Sequence, residues 1–105
     1  MTYETIKYAV NDGVAKIEFN RPDAGNSINR KFAHEFMDVA IKSTTDSSVR
    51  CIVIGAAGSM YSFGGDLKFF STEMEKIEGT LIEFTAVLLQ GIQRFYNCIV
   101  AVIIM

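Results

Sequence analysis

Hydrophobic and polar positions alternate along the first twenty residues. Ile6, Tyr8 and Val10 share one face, with Lys7 and Ala9 on the other. Beyond Asn11, Asp12 and Gly13 the alternation resumes, with Ala15, Ile17 and Phe19 opposite Lys16 and Glu18. Two period-two runs around an Asn-Asp-Gly turn predict a β-hairpin, because these turn residues accept the backbone angles a tight connection needs. Residues 20–27, NRPDAGNS, contain the single proline and predict a loop. The period then changes. Ile28, Phe32, Phe36, Val39 and Ala40 fall on one helical stripe, so a helix is expected from Ile28 or Asn29 to about residues 43–48. Residues 49–55, VRCIVIG, form a short β-branched run, the pattern of a strand buried on both faces. Strand, helix and strand in this order imply a right-handed crossover.

The second half opens on GSMYSFGGDLKFF, residues 58–70, whose end starts a helical turn. TEMEKIE and TLIEFTAVLLQGIQRFYN continue as one or two helices. Thr72 with Glu75, and Thr80 with Glu83, each match a capping box. Gly79 is expected to separate or bend the pieces. CIVAVIIM, residues 98–105, is another buried-strand pattern. It is expected to lie parallel to residues 49–55, buried on both faces, with the helix over residues 80–97 covering one of them. The sequence contains no internal repeat, low-complexity segment or linker.

Composition narrows the function classes. Half of the 105 residues are hydrophobic, enough for the core of one small domain. The net charge is −2, from ten basic and twelve acidic residues without a basic patch, which argues against nucleic acid as a partner. One histidine, His34, and two distant cysteines, Cys51 and Cys98, lack metal-ligand spacing, so no metal site is expected. Both cysteines lie in apolar runs and are expected to be buried thiols of a reducing compartment. The first ten residues lack a signal-peptide pattern, and no apolar run matches a membrane span. A soluble, cytoplasmic protein is the expectation.

Chemistry centres on the glycine loop. Glycine loses the most conformational entropy on folding, so three in one loop suggest a close approach to the backbone. A phosphate-cradling P-loop is excluded, since Gly64-Gly65 is followed by Asp66 and Leu67 and not by Lys-Ser/Thr. A dinucleotide fingerprint is excluded by spacing and by the loop's place after the third strand. Two readings remain from the residues alone. One is a plain strand-to-helix connection with Asp66 as N-cap. The other is an oxyanion hole, in which a fixed backbone N–H is aimed where negative charge develops.

Three stretches carry a family resemblance, in order. VAKIEFNRPDAGNSIN is similar to a hairpin strand and N-R-P loop of the crotonase family, also called the enoyl-CoA hydratase/isomerase superfamily. DSSVRCIVIGAAGSMYSFGGDLKFF resembles its V-R-x-x-V-L-x-G and F-x-x-G-x-D-L signature, and LLQGIQRFYNCIVAV its helix into a K-P-x-I-A-A-V strand. The resemblance implies an α/β fold: a truncated crotonase-like ββα spiral, with an N-terminal hairpin followed by β-α-β units. Residues 1–105 would be the N-terminal part of such a domain, ending before the second oxyanion-hole turn. Such proteins form trimers or pairs of trimers, so a homo-oligomer is implied. They act on acyl-CoA thioesters, with coenzyme A as part of the substrate and no separate cofactor. Hydration of a 2-enoyl-CoA is the implied reaction of a full-length form, and double-bond isomerisation the nearest alternative. By the same resemblance Gly65 supplies the first oxyanion N–H. Ala24, Ser62, Phe63, Gly64, Gly65, Asp66 and Leu67 would contact the substrate, as would the loop over residues 57–63.

The sequence departs from the pattern at its end. Ile104-Met105 stand where Asn-Gly is expected, and the proline near Cys98 is missing. The second donor and the acid–base carboxylates of the family have no counterparts here, so this chain alone is expected to be inactive. A fragment that binds CoA thioesters without turnover, or one that self-associates through its apolar last strand, is the alternative. Among other candidates, Asp66 is expected to cap a helix, and Arg21 to be structural rather than a phosphate ligand. Glu73, Glu75, Glu78 and Glu83 are expected on a solvated face. Asp23 is a loop-surface residue or lies near CoA. His34 is expected at or near the surface, and Phe69 and Phe70 in the core rather than in an acyl pocket.

Overall fold

The computed structural model describes residues 3–58, 61–62, 64–98 and 100–104. Four strands, β1 (Ile6–Asn11), β2 (Val14–Phe19), β3 (Cys51–Ala56) and β4 (Ala101–Ile104), form one sheet in that order. The first pair is antiparallel and the other two are parallel. Three helices accompany them: α1 (Arg30–Thr45), α2 (Leu67–Thr72) and α3 (Ile77–Tyr96). The hairpin turn is Asp12-Gly13, with φ of +50° and +80°, both left-handed. The Gly13 carbonyl also accepts from Arg50 N and Cys51 N at 2.7 and 3.2 Å, so the turn fixes the start of β3.

Helix α1 begins where Asn29 caps it, its side-chain oxygen accepting from Phe32 N–H at 2.9 Å. Phe32, Ala33, Phe36, Val39, Ala40 and Ser43 are buried. Of these, Phe32, Phe36 and Val39 meet Ile6, Ala15, Ile17 and Phe19 of the hairpin and Ile52 and Ile54 of β3 in one core. Phe19 packs edge-on against Phe32 and Phe36, with ring centroids 5.0 and 6.2 Å apart. Burying each such side chain is worth about 1.5–3 kcal/mol.

Five expectations are corrected. β3 buries Ile52 and Ile54 while Cys51 and Val53 are only half-buried, so one face is closed and not both. β4 does pair in parallel with β3, but Ala101, Ile103 and Ile104 are exposed. It is an edge strand of the sheet, and Ile99 and Met105 lie outside the described residues. Neither capping box forms. Thr72 Oγ1 donates to Phe69 O inside α2, and Thr80 lies within α3, donating to Glu73 Oε1 at 3.3 Å. Gly79 sits uninterrupted in α3, and the break falls instead at a 3₁₀ turn, Met74–Lys76. Cys51 and Cys98 are free thiols, half-buried rather than buried.

The glycine that matters in α3 is Gly91. A Cβ there would lie 2.6 Å from Phe36 Cδ2 and 3.3 Å from the Met37 Cα, so this is where α3 crosses α1 at close range. Gly91→Val is expected to destabilise the fold by about 1–3 kcal/mol through overpacking, more than the few tenths it gains in helix propensity. Urea unfolding of the two proteins measures this; equal midpoints would show that the crossing yields without strain.

Candidate functional site

The loop at residues 20–29 and the loop at residues 57–66 are bound to each other. Ile28 N–H donates to Gly64 O at 2.7 Å, and Asp66 N–H donates to Ile28 O at 2.9 Å. These two bonds make a parallel bridge between Ile28 and Gly65. In such a bridge the central residue of one side makes both bonds, and its opposite number points its own N–H and C=O the other way. The Gly65 N–H is therefore turned away from Ile28. It has no hydrogen-bond partner among the described residues.

Gly64 reaches this geometry at a φ of +90°, a left-handed value that suits glycine. Gly65 is crowded for a different reason. A Cβ on it would meet Phe70 Cε2 at 2.6 Å and Cζ at 2.9 Å, so the Phe70 ring lies directly on its Cα. Phe69, Phe70 and Phe84 form a half-buried cluster with centroids 5.4–6.0 Å apart, separate from the main core. The expectation that Phe69 and Phe70 are core is corrected accordingly.

Side chains hold both loops. Asn26 is wholly buried, its backbone left-handed at φ +52°. Its Oδ1 accepts from Arg21 N–H at 2.7 Å and its Nδ2 donates to Ala57 O at 2.8 Å. Ser62 Oγ donates to Asn26 O at 2.8 Å and accepts from Gly64 N–H at 3.0 Å. Tyr61 packs edge-on against Phe19 at 5.4 Å and donates its hydroxyl to Ile54 O at 3.1 Å. Arg21 pairs with Asp66, Nη2 to Oδ2 at 3.0 Å, with the two side chains 20% and 12% exposed, and its Nη1 donates to Ser27 O. Asp66 also caps α2, accepting from Lys68 N–H and Phe69 N–H at 2.9 and 3.2 Å. Partial burial pushes the Asp66 carboxyl up, but the Phe69 N–H, Arg21 and the Lys68 N–H together hold it below the usual carboxylate range.

A cleft of about 600 Å³ opens along this junction, lined by Arg21, Asp23, Ala24, Ser27, Gly65, Asp66, Leu67 and Lys68. Of the residues singled out from the sequence, Arg21, Asp23, Ala24, Gly65, Asp66 and Leu67 meet there. Ser62 and Gly64 serve the loop's own hydrogen bonds, and Phe63 lies outside the described residues. Asn26 was missed. Its signal was an Asn after Gly in a turn, a residue type that tolerates the left-handed conformation.

The acids divide. Glu73 is not on a solvated face: its side chain is 11% exposed and pairs with Arg30 at 2.6 Å. Arg30 first of all, supported by Lys76 and Thr80, lowers its carboxyl against the opposing effect of burial. Glu83 meets Arg30 Nε at 3.3 Å and His34 Nε2 at 3.6 Å, and His34 is surface-exposed as expected. Among the described residues no cluster of three or more His, Cys, Asp or Glu could hold a metal, and no helix is long and apolar enough to cross a membrane. A second groove, about 520 Å³ between α1 and α3, contains no residue of the glycine loop.

A hairpin feeding parallel strands with helical crossovers, with a glycine loop beside a cleft and a Gly65 N–H that has no partner among the described residues, defines the α/β class of this protein. Residues 9–104 match the family model for enoyl-CoA hydratase/isomerase, and the chain belongs to that family. It is 33% identical over 98 residues to a Rhodobacter capsulatus protein named as a probable enoyl-CoA hydratase, spanning 93% of this chain and 36% of that protein. It is 38% identical over 69 residues to human enoyl-CoA delta isomerase 2, spanning 66% of this chain and 17% of that protein. The crystal structure of a Legionella pneumophila protein assigned as an enoyl CoA hydratase/isomerase (crotonase) superposes with a TM-score of 0.88 at 23% identity, over 99% of this chain and 40% of that one. The chain thus has the crotonase fold over roughly two fifths or less of the length of these relatives.

The Asp66 geometry gives a pH prediction. Its carboxyl titrates lower in the fold than in the unfolded chain, where about 4 is usual. Its stabilisation is therefore complete above that value and lost as the pH falls through the lower folded value. Asp66→Asn keeps a capping oxygen and removes the charge. The stability difference between parent and variant, from urea unfolding at several pH values, is expected to shrink as the pH drops below about 4. A constant difference would show that the Arg21 pair contributes nothing.

Proposed function

We propose that this chain provides the first half of an acyl-CoA thioester site, with the Gly65 N–H as the backbone donor to the thioester oxygen. The observation that carries this is the Gly65 N–H, turned away from Ile28 by the bridge and without a hydrogen-bond partner among the described residues, at a residue that lines the cleft. Ala24, Asp66 and Leu67, which line the cleft, would shape the surface against the thioester and its pantetheine arm, with Ser62 and Gly64 holding the loop behind them. A neutral backbone donor suits an enolate, because it stabilises the anion without exchanging a proton with it. For a longer protein containing this stretch, hydration of a 2-enoyl-CoA is the reaction we favour, with isomerisation as its neighbour.

General acid–base help is the weak point of this chain alone. Asp23 and Asp66 are the carboxylates lining the cleft among the described residues, and Asp66 is committed to Arg21 and two backbone donors. General acid–base catalysis contributes on the order of 10²–10⁴ and one oxyanion donor about 10²–10³. The chain by itself is therefore expected to bind a short enoyl-CoA without hydrating it at an enzyme's rate. Calorimetry with crotonyl-CoA and with the thioether analogue that lacks the carbonyl oxygen tests the donor. One net hydrogen bond predicts a preference for the thioester of about 2- to 13-fold. Equal affinity, or no binding, would remove the oxyanion assignment.

A second reading, self-association, is favoured by the exposed apolar rows. Ile104 is 71% and Ile82 66% exposed, on the edge strand and on α3. Edge strands of this kind invite pairing with another copy. Sedimentation velocity at low micromolar concentration is expected to show a homo-oligomer. A clean monomer with cooperative unfolding would show that these surfaces remain open without cost.

A further inference from the structure

We propose that Arg21 and Asp66 are positioning residues that hold the Gly65 N–H in its donor direction, a proposal that rests on the thioester reading above. Gly65 follows a left-handed glycine and contributes no side chain of its own, so nothing intrinsic to residues 64–65 fixes where that N–H points. The bridge to Ile28 sets the direction, and its two bonds must keep register for the N–H to stay turned out. Arg21 clamps both sides of the bridge. Its Nη1 takes the carbonyl of Ser27, the residue before Ile28, and its Nη2 takes the carboxylate of Asp66, the residue after Gly65. One planar guanidinium thus links the backbone of the residue before Ile28 to the side chain of the residue after Gly65.

The anchoring at each end is also rigid. Arg21 N–H is held by buried Asn26, and Asp66 is fixed by the first turn of α2. A planar fork that makes two directed bonds constrains more than a point charge does, so lysine is not an equivalent substitute. Neither residue needs to touch the thioester oxygen. Their effect is on the angle of the amide that does, and small misplacements of a catalytic group are costly in rate.

The test uses the whole chain with crotonyl-CoA carrying ¹³C at the carbonyl carbon. Isotope-edited infrared spectra report how strongly that oxygen is hydrogen-bonded, and calorimetry gives the thioester-to-thioether affinity ratio. Arg21→Gln and Asp66→Asn are the variants, the second keeping the α2 cap; Arg21→Lys is the rescue. We expect both variants to bind the thioether while losing most of the carbonyl downshift, with the affinity ratio falling toward one. Arg21→Lys should recover part of each. A parent downshift that persists in Asp66→Asn and Arg21→Gln overturns the positioning role and leaves the thioester reading intact. No downshift in the parent overturns the thioester reading, and this inference with it.

Discussion

Two hydrogen bonds, Ile28 N–H to Gly64 O and Asp66 N–H to Ile28 O, join segments that lie far apart in sequence. Each is worth only about 0.5–1.5 kcal/mol net. What they determine is direction. With Ile28 using both of its backbone groups, the Gly65 amide has only the opposite side to face. The hairpin and α1 carry Ile28 to this position. Phe19 ends β2, its carbonyl binds Ala57 N–H at 2.8 Å, and Asn29 starts α1 one residue after the bridge. Disturbing the core beneath α1 would therefore be felt at Gly65 without any change in the cleft's own residues.

Around that bridge the polar contacts are consistent with each other. Asn26, Ser62, Arg21 and Asp66 satisfy one another or the backbone, and no buried side-chain polar atom among the described residues lacks a partner. Buried polar groups of this sort are stabilising only when all are paired, because an orphaned one costs about 1–3 kcal/mol. The network therefore resists piecemeal change. A second hub acts on α2 from the other side, where Arg30 meets Glu73 and Glu83 and lies 5.2 Å from the centre of the Phe69 ring. Together they dock a six-residue helix that has no buried residues of its own.

Legibility from the sequence followed the range of the interactions. The hairpin was legible because Asn-Asp-Gly encodes its turn locally, and α1 because its stripe repeats at helical spacing. Asp66 was legible as a cap for the same reason: its partners are two and three residues away. The capping boxes at Thr72 and Thr80 failed because Glu73, not Glu75 or Glu83, is the organising acid, and its partner Arg30 is 43 positions away. Gly79 suggests a break that the helix does not make, while the reason for Gly91 is a close approach by Phe36 from another helix, which no local pattern encodes. Gly65 was legible only through family resemblance. Composition alone favours a plain connection there, and the bridge to Ile28 is a tertiary contact that no local pattern encodes.

The most direct test of the account is the Gly65 amide itself, observed by ¹H–¹⁵N NMR as crotonyl-CoA is added. The account predicts that the Gly65 proton moves downfield on titration, as an N–H does when it takes up a carbonyl oxygen, with smaller changes at Ala24 and Leu67 along the cleft. The thioether analogue should leave the Gly65 proton nearly in place. A Gly65 resonance unmoved by saturating crotonyl-CoA, or moved equally by both ligands, would contradict the claim that this N–H is the donor.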